Sequence, residues 1–113
     1  WQTIQQTPGY KDNTTLIITT DHGRGSHADD WQHHSSKRAL ARSEQAIKHF
    51  PNGIVGSENI WFAAIGAGIK AKGQVITQGE VKQKQIAATA LTLLGKDPKD
   101  FNPNIGAKIK EIF

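Results

Sequence analysis

The stretch Thr14-Thr15-Leu16-Ile17-Ile18-Thr19-Thr20-Asp21-His22-Gly23-Arg24-Gly25 decides how this chain is read. Its first seven residues are β-branched or apolar without strict alternation, which is the pattern of a strand covered on both faces. They predict a central strand of a parallel sheet. A carboxylate and an imidazole follow at once, then two glycines around an arginine. Open α/β sheets bind their ligands beyond the carboxyl ends of strands. In a regular strand Asp21 and His22 would point to opposite faces. Gly23 and Gly25 supply the backbone freedom to turn both side chains toward one site.

Working outward, Ile60-Trp61-Phe62-Ala63-Ala64-Ile65 has the same continuous character and is stopped by Gly66-Ala67-Gly68, so it predicts a second strand. Parallel neighbours need a crossover of a dozen or more residues, and Asp21 to Asn59 is long enough to hold one. Within it the sequence predicts a helix over 37–49, with Ser36 as N-cap and Pro51 ending it by disfavouring the helical region at Phe50. A second helix is predicted over 81–94. There Ile86, Ala87, Ala90, Leu91, Leu93 and Leu94 fall within an arc of about 160° at 100° per residue, with Gln85, Thr89 and Thr92 outside it. Gly95 then stands in the C′ position. Trp1 to Gln6 reads as the end of an earlier helix followed by a Pro8-Gly9 turn, residues 70–80 as an exposed ribbon or loop, and 101–113 as a loop with a final helical turn. No internal repeat interrupts this alternation of helix and strand, which indicates an α/β layer.

The chain has 113 residues, of which 36% are hydrophobic and 21% charged, a balance that suits one globular domain better than a disordered chain. Its mean hydropathy of −0.52 points to a modest core. No apolar run approaches the ~20 residues of a membrane span. Cysteine is absent, which excludes disulfides, thiolate metal sites and cysteine nucleophiles. Methionine is absent too, and a chain opening on Trp1 reads as a processed or excised piece. The net charge of +4 is unevenly placed. Residues 1–36 set Lys11 and Arg24 against Asp12, Asp21, Asp29 and Asp30, whereas the basic excess lies in 37–50 and 70–113. The ligand-rich front is therefore acidic and the basic residues form no aromatic-interleaved stripe, which argues against nucleic acid as a stable partner.

Beyond the glycines, Ser26-His27-Ala28-Asp29-Asp30-Trp31-Gln32-His33-His34 gathers three histidines and two aspartates. Carboxylate oxygen and imidazole nitrogen are the usual Zn²⁺ ligands once cysteine is excluded. The residues alone leave two readings open, a metal or catalytic site and a polar loop whose Asp-His-Gly is ordinary turn chemistry. Ser26, Ser35 and Ser36 read as loop and capping hydroxyls, His49 as a helix-end cation, and Trp31 and Trp61 as packing groups.

The run Thr15 to Gly25, followed by Trp31 and His34 and then by Gly56-Ser57-Glu58-Asn59-Ile60-Trp61-Phe62-Ala63-Ala64-Ile65-Gly66, resembles the C-terminal part of the alkaline phosphatase superfamily, in its sulfatase-like and phosphodiesterase-like members. Gln85 to Leu91, Leu93-Leu94-Gly95, Pro103 and Gly106 resemble that family's terminal helix and tail. The resemblance implies the C-terminal portion of an α/β/α sandwich with a mostly parallel sheet. Residues 1–113 would then be a single C-terminal segment of a larger metal-dependent hydrolase domain. It implies a phosphoric or sulfuric ester as substrate, two divalent metal ions (Zn²⁺ first, with Mn²⁺, Fe or Ca²⁺ as alternatives) and a periplasmic or secreted setting. Asp21 and His22 would hold one metal and His34 the other, with Arg24 contacting the anionic substrate. His33 and His27 remain alternatives to His34, which is favoured by standing three residues after Trp31. The family's Ser or Thr nucleophile would lie upstream of Trp1, so the chain alone is expected to be inactive. Two departures stand out: Ser35 where the family has glycine, with an insertion over about 36–53, and Ala67 where it has proline. Ser35 and the insertion support the alternative of a non-catalytic binding domain that keeps the fold, whereas Ala67 touches a loop more than the chemistry.

Overall fold

The computed structural model describes residues 1–27, 36–77 and 79–113. Among them the order of elements is α1 (Gln2–Gln6), β1 (Thr15–Thr19), α2 (Lys37–Leu40), α3 (Glu44–His49), β2 (Phe62–Gly66), α4 (Lys84–Leu93), α5 (Pro98–Phe101) and a 3₁₀ turn (Lys110–Ile112). The chain is a mixed α/β protein, as its alternation of patterns predicts. No helix is long and apolar enough to cross a membrane among the described residues.

β1 and β2 form a two-stranded sheet. Its register follows from three bonds: Ala67 N–H donates to the Thr14 carbonyl at 3.1 Å, and the Thr15 and Thr19 hydroxyls donate to the carbonyls of Ala67 (2.5 Å) and Trp61 (2.7 Å). Rising numbers on one strand meet falling numbers on the other, so the pair is antiparallel and the expectation of parallel pairing is corrected here. The cause is the route between the strands. A parallel crossover must carry the chain to the opposite end of the sheet. Here the returning segment is held where β1 leaves off, by Ser26 N–H to the Val55 carbonyl (2.9 Å) and Gly23 N–H to the Ser57 carbonyl (2.7 Å), so β2 enters beside Thr19 and runs back. The full covering expected of β1 is also corrected: Ile18 is 48% exposed, as is Ile65 of β2 at 49%.

The helix expected over 37–49 is two helices. Ser36 caps the first, its hydroxyl accepting from Ala39 N–H at 3.4 Å. Ser43 then adopts an extended backbone (φ −125°, ψ 113°) and caps the second by accepting from Ala46 N–H at 3.2 Å. A serine that can bond backbone ahead of it favours a fresh N-terminus over a helix interior. The second helix ends at Phe50, which leaves the helical region (φ −127°, ψ 70°) before Pro51, as the proline demands. An antiparallel bridge between Ser36 and Gly53 closes the base of this excursion.

The chain divides into two compact units, Trp1–Ile17 with Ala64–Phe113, and Ile18–Ala63. In the first, α4 ends as its sequence dictates. Gly95 takes φ 69°, Gly95 N–H donates to Thr92 O (3.0 Å) and Lys96 N–H to Leu91 O (2.9 Å), the paired bonds of a Schellman stop. Its buried face differs from the expected arc. Ala88 and Thr89 are fully buried while Leu94 is 72% exposed. The reason is the C-terminal tail, which covers the Thr89 side: the Thr89 hydroxyl donates to Gln85 O (2.7 Å) and accepts from Ile109 N–H (2.8 Å), and Ile109 is 3% exposed. Asp97 caps α5 by accepting from Lys99 N–H at 2.9 Å, with Pro98 in the first turn. Residues 70–77 form no strand. Among the described residues of the second unit, Ile54 is the buried apolar one, 2% exposed. Trp61, expected to pack, is 54% exposed.

Candidate functional site

The candidate site begins two residues beyond β1. His22 N–H donates to Asp21 Oδ1 at 3.0 Å, which folds the aspartate side chain back over its neighbour and overrides the strand's alternation. His22 Nε2 then lies 3.5 Å from Asp21 Oδ2. The other ring nitrogen, Nδ1, is 2.9 Å from the Gly23 carbonyl oxygen. A carbonyl can only accept, so Nδ1 carries the proton of this bond. That choice leaves Nε2 as the nitrogen turned to the carboxylate, the arrangement in which a histidine can ligate a metal through Nε2.

The separation bears on which cation fits. A tetrahedral ion with bonds of about 2.0–2.2 Å holds its donors roughly 3.3–3.6 Å apart, and 3.5 Å falls within that span. A backbone carbonyl on the far ring nitrogen is also the usual outer partner of a metal-ligating histidine. Asp21 and His22 therefore fit as two ligands of one divalent ion. Among the described residues no group of three or more His, Cys, Asp or Glu side chains is assembled for a metal. The remaining expected ligand, His34, lies outside the described residues, together with Trp31, His33 and Ser35. Asp21 is 84% exposed at its side chain and His22 36%. Arg24 and His27 are exposed on the same loop.

The loop is positioned from the segment 54–59, whose role the sequence does not announce. Besides the bonds from Gly23 and Ser26 to Ser57 and Val55, the Ser26 hydroxyl donates to Val55 O at 3.2 Å. Gly23 is required by close approach: a Cβ there would strike the carbonyl oxygens of Asn59 and Gly56, the latter at 2.8 Å. Gly56 is itself in a left-handed conformation (φ 90°) with the Ser26 hydroxyl 2.5 Å from where its Cβ would stand. Two glycines thus let two backbones meet and fix the direction in which Asp21 and His22 leave the strand. The signal present in the sequence was Gly56 itself, ahead of Ser-Glu-Asn.

Comparison with protein-family models, curated proteins and solved structures gives no match for the chain.

Proposed function

We propose that the chain is the metal-ligating C-terminal part of a phosphoric or sulfuric ester hydrolase of the alkaline phosphatase superfamily. The observation that carries this is the approach of Asp21 Oδ2 and His22 Nε2 to 3.5 Å at the carboxyl end of β1, with the ring fixed by the Gly23 carbonyl. The β1–β2 pair then belongs to a larger, mostly parallel sandwich, in which β2 is an antiparallel member of the kind that mixed sheets commonly carry.

In this reading Asp21 and His22 hold one divalent ion, Zn²⁺ by preference, and His34 contributes to a second. Held by these residues, the ions would supply Lewis-acid chemistry, polarising the ester and offsetting the charge of its leaving oxygen. The chain's own residues do the positioning. Asp21 supplies the negative charge that retains the cation, Gly23 O holds the His22 ring with Nε2 turned to the site, and Arg24 offers a planar donor fork to an anionic ester. The Ser or Thr nucleophile comes from sequence upstream of Trp1.

Zinc titration of the chain, followed by NMR of the imidazole protons, tests the ligand assignment. The His22 ring signals are expected to move, weakly bound because two donors leave the ion under-coordinated, and the response is lost in Asp21→Ala. Tight calorimetric binding would count against so incomplete a site, and an unmoved His22 would remove the assignment. Hydrolysis of an aryl phosphate is expected to be absent. Metal-dependent turnover by this chain, abolished in Asp21→Ala, would overturn the upstream nucleophile.

A further inference from the structure

Asn52 and Gly53 lie in the turn that follows α3 and closes the excursion begun at Ser36. Gly53 N–H donates to the Phe50 carbonyl at 3.0 Å, which makes Pro51 and Asn52 the central residues of the turn, with the proline's fixed φ where a turn favours it. Gly53 then pairs with Ser36 in the antiparallel bridge. The fit there is tight. A Cβ on Gly53 would strike Lys37 N and stand 2.8 Å from Ser36 C and 2.9 Å from Lys37 Cα. Asn52, by contrast, is exposed, and its amide makes no hydrogen bond among the described residues.

An asparagine followed by glycine carries its own electrophile and nucleophile. The Gly53 nitrogen can attack Asn52 Cγ, since glycine has no side chain to obstruct the ring that forms. The N–Cγ bond forms as the Gly53 amide proton passes to solvent base. The Cγ–Nδ2 bond then breaks, and ammonia leaves with a proton drawn from solvent. Water opens the resulting succinimide at either carbonyl. Attack at the former side-chain carbonyl gives aspartate, and attack at the main-chain carbonyl gives isoaspartate, whose main chain runs through Cγ and is one methylene longer. The balance is a water taken up and an ammonia released.

In the folded chain the nucleophile is withheld. The proton that must leave is the one donated to Phe50 O, and the bridge with Ser36 holds Gly53 in place. We propose that Asn52 is a site of spontaneous deamidation whose rate is set by opening of this turn and bridge, and whose isoaspartyl product cannot close them again. The added methylene displaces Gly53, for which the backbone of Ser36 and Lys37 leaves no slack. Next in the chain come Ile54, which is 2% exposed, and then Val55 and Ser57, whose carbonyls hold Ser26 and Gly23. Ageing at one exposed amide therefore loosens the seat of the loop that carries Asp21 and His22.

The test incubates the full chain in mildly alkaline buffer, folded and unfolded in guanidinium chloride. Conversion of Asn52 is followed by peptide mass spectrometry, and an isoaspartyl methyltransferase counts the isomer. A reaction that needs a rarely populated opening is slowed in proportion, so the folded chain is expected to convert at least about tenfold more slowly than the unfolded one, with hydrogen exchange at the Gly53 amide slowed to match. Pro51→Ala, which frees the turn's φ, is expected to raise both folded-state rates about twofold to fivefold. In the isoaspartyl form the Lys37 and Ser26 amide signals should leave their native NMR positions, whereas Asn52→Asp, which adds the charge without the methylene, keeps them. Equal conversion in the folded and unfolded chains overturns the proposal, as does an unfolded chain that leaves Asn52 intact. Slow conversion beside fast Gly53 exchange removes the turn and bridge as the brake. An isoaspartyl form whose Lys37 and Ser26 signals match those of Asn52→Asp shows that the bridge closes again, and overturns the rest. Should Pro51→Ala fail to fold, the unsubstituted chain still decides each of these outcomes.

Discussion

At the scale of single residues, Gly23 has the most demanding place. Its amide is bonded to Ser57 O and its missing side chain leaves room for the backbone oxygens of Asn59 and Gly56. Backbone cannot step aside as the end of a flexible side chain can. Gly23→Ala is therefore expected to destabilise the chain by about 1–3 kcal/mol, read as a lower urea midpoint, and to weaken zinc's effect on the His22 ring. An unchanged midpoint would show that the two segments separate at little cost. Much of this place was legible: Asp21, His22 and the glycines after them stand out at a strand end. What the sequence hides is the partner. The contact joins Gly23 to Ser57 across an excursion of uneven length, and no periodicity encodes a meeting of two loops.

At the scale of elements, local chemistry was readable and burial was not. The Ser36 cap, the Pro51 stop and the Gly95 stop depend on neighbours a few residues away, and each is where the sequence puts it. The missed break at Ser43 shows two local signals in conflict, helix-favouring Ala and Leu against a serine competent to cap. The buried face of α4 departs from expectation because helical periodicity weighs side-chain polarity alone. Thr89 counts as polar on that scale, yet its hydroxyl is satisfied on both sides by Gln85 O and Ile109 N–H. A satisfied hydroxyl is cheap to bury, and a deserted one is not. Thr89→Val, which keeps the shape and removes the acceptor for Ile109 N–H, should cost about 1–3 kcal/mol in urea unfolding. Thr89→Ser should retain most of the stability. If valine is as stable as threonine, the tail is not held by this bond.

At the scale of the molecule, the parallel sheet implied by the strand pattern gives way to an antiparallel pair, because strand direction is decided by the path of the connection and not by the strand's own residues. β1 reads alike in either orientation. The division into two units makes the zinc reading testable for the chain as a whole. Asp21, His22 and the segment that seats them all belong to Ile18–Ala63. A ligand stabilises the state that binds it, and amide exchange reports stability region by region. Zinc is thus expected to slow exchange at Gly23, Ser26 and Ser57 and to leave Thr92, Gly95 and Ile109 unaffected. Uniform slowing across both sets would show that the ion acts on global unfolding, and slowing confined to α4 would place it elsewhere.

The bridge between Ser36 and Gly53 has a further consequence. Because the chain leaves and re-enters at adjacent points, replacing residues 37–52 by a two-residue Asn-Gly turn, the shortest link natural to an antiparallel bridge, is expected to leave the bridge in place. Such a chimera would lose Lys37 and Asn52 while keeping Ser57 and the loop of Asp21 and His22. On the proposed reading, the response of the His22 ring to zinc is expected to survive this exchange, and its loss would show that residues 37–52 help to hold the loop of Asp21 and His22.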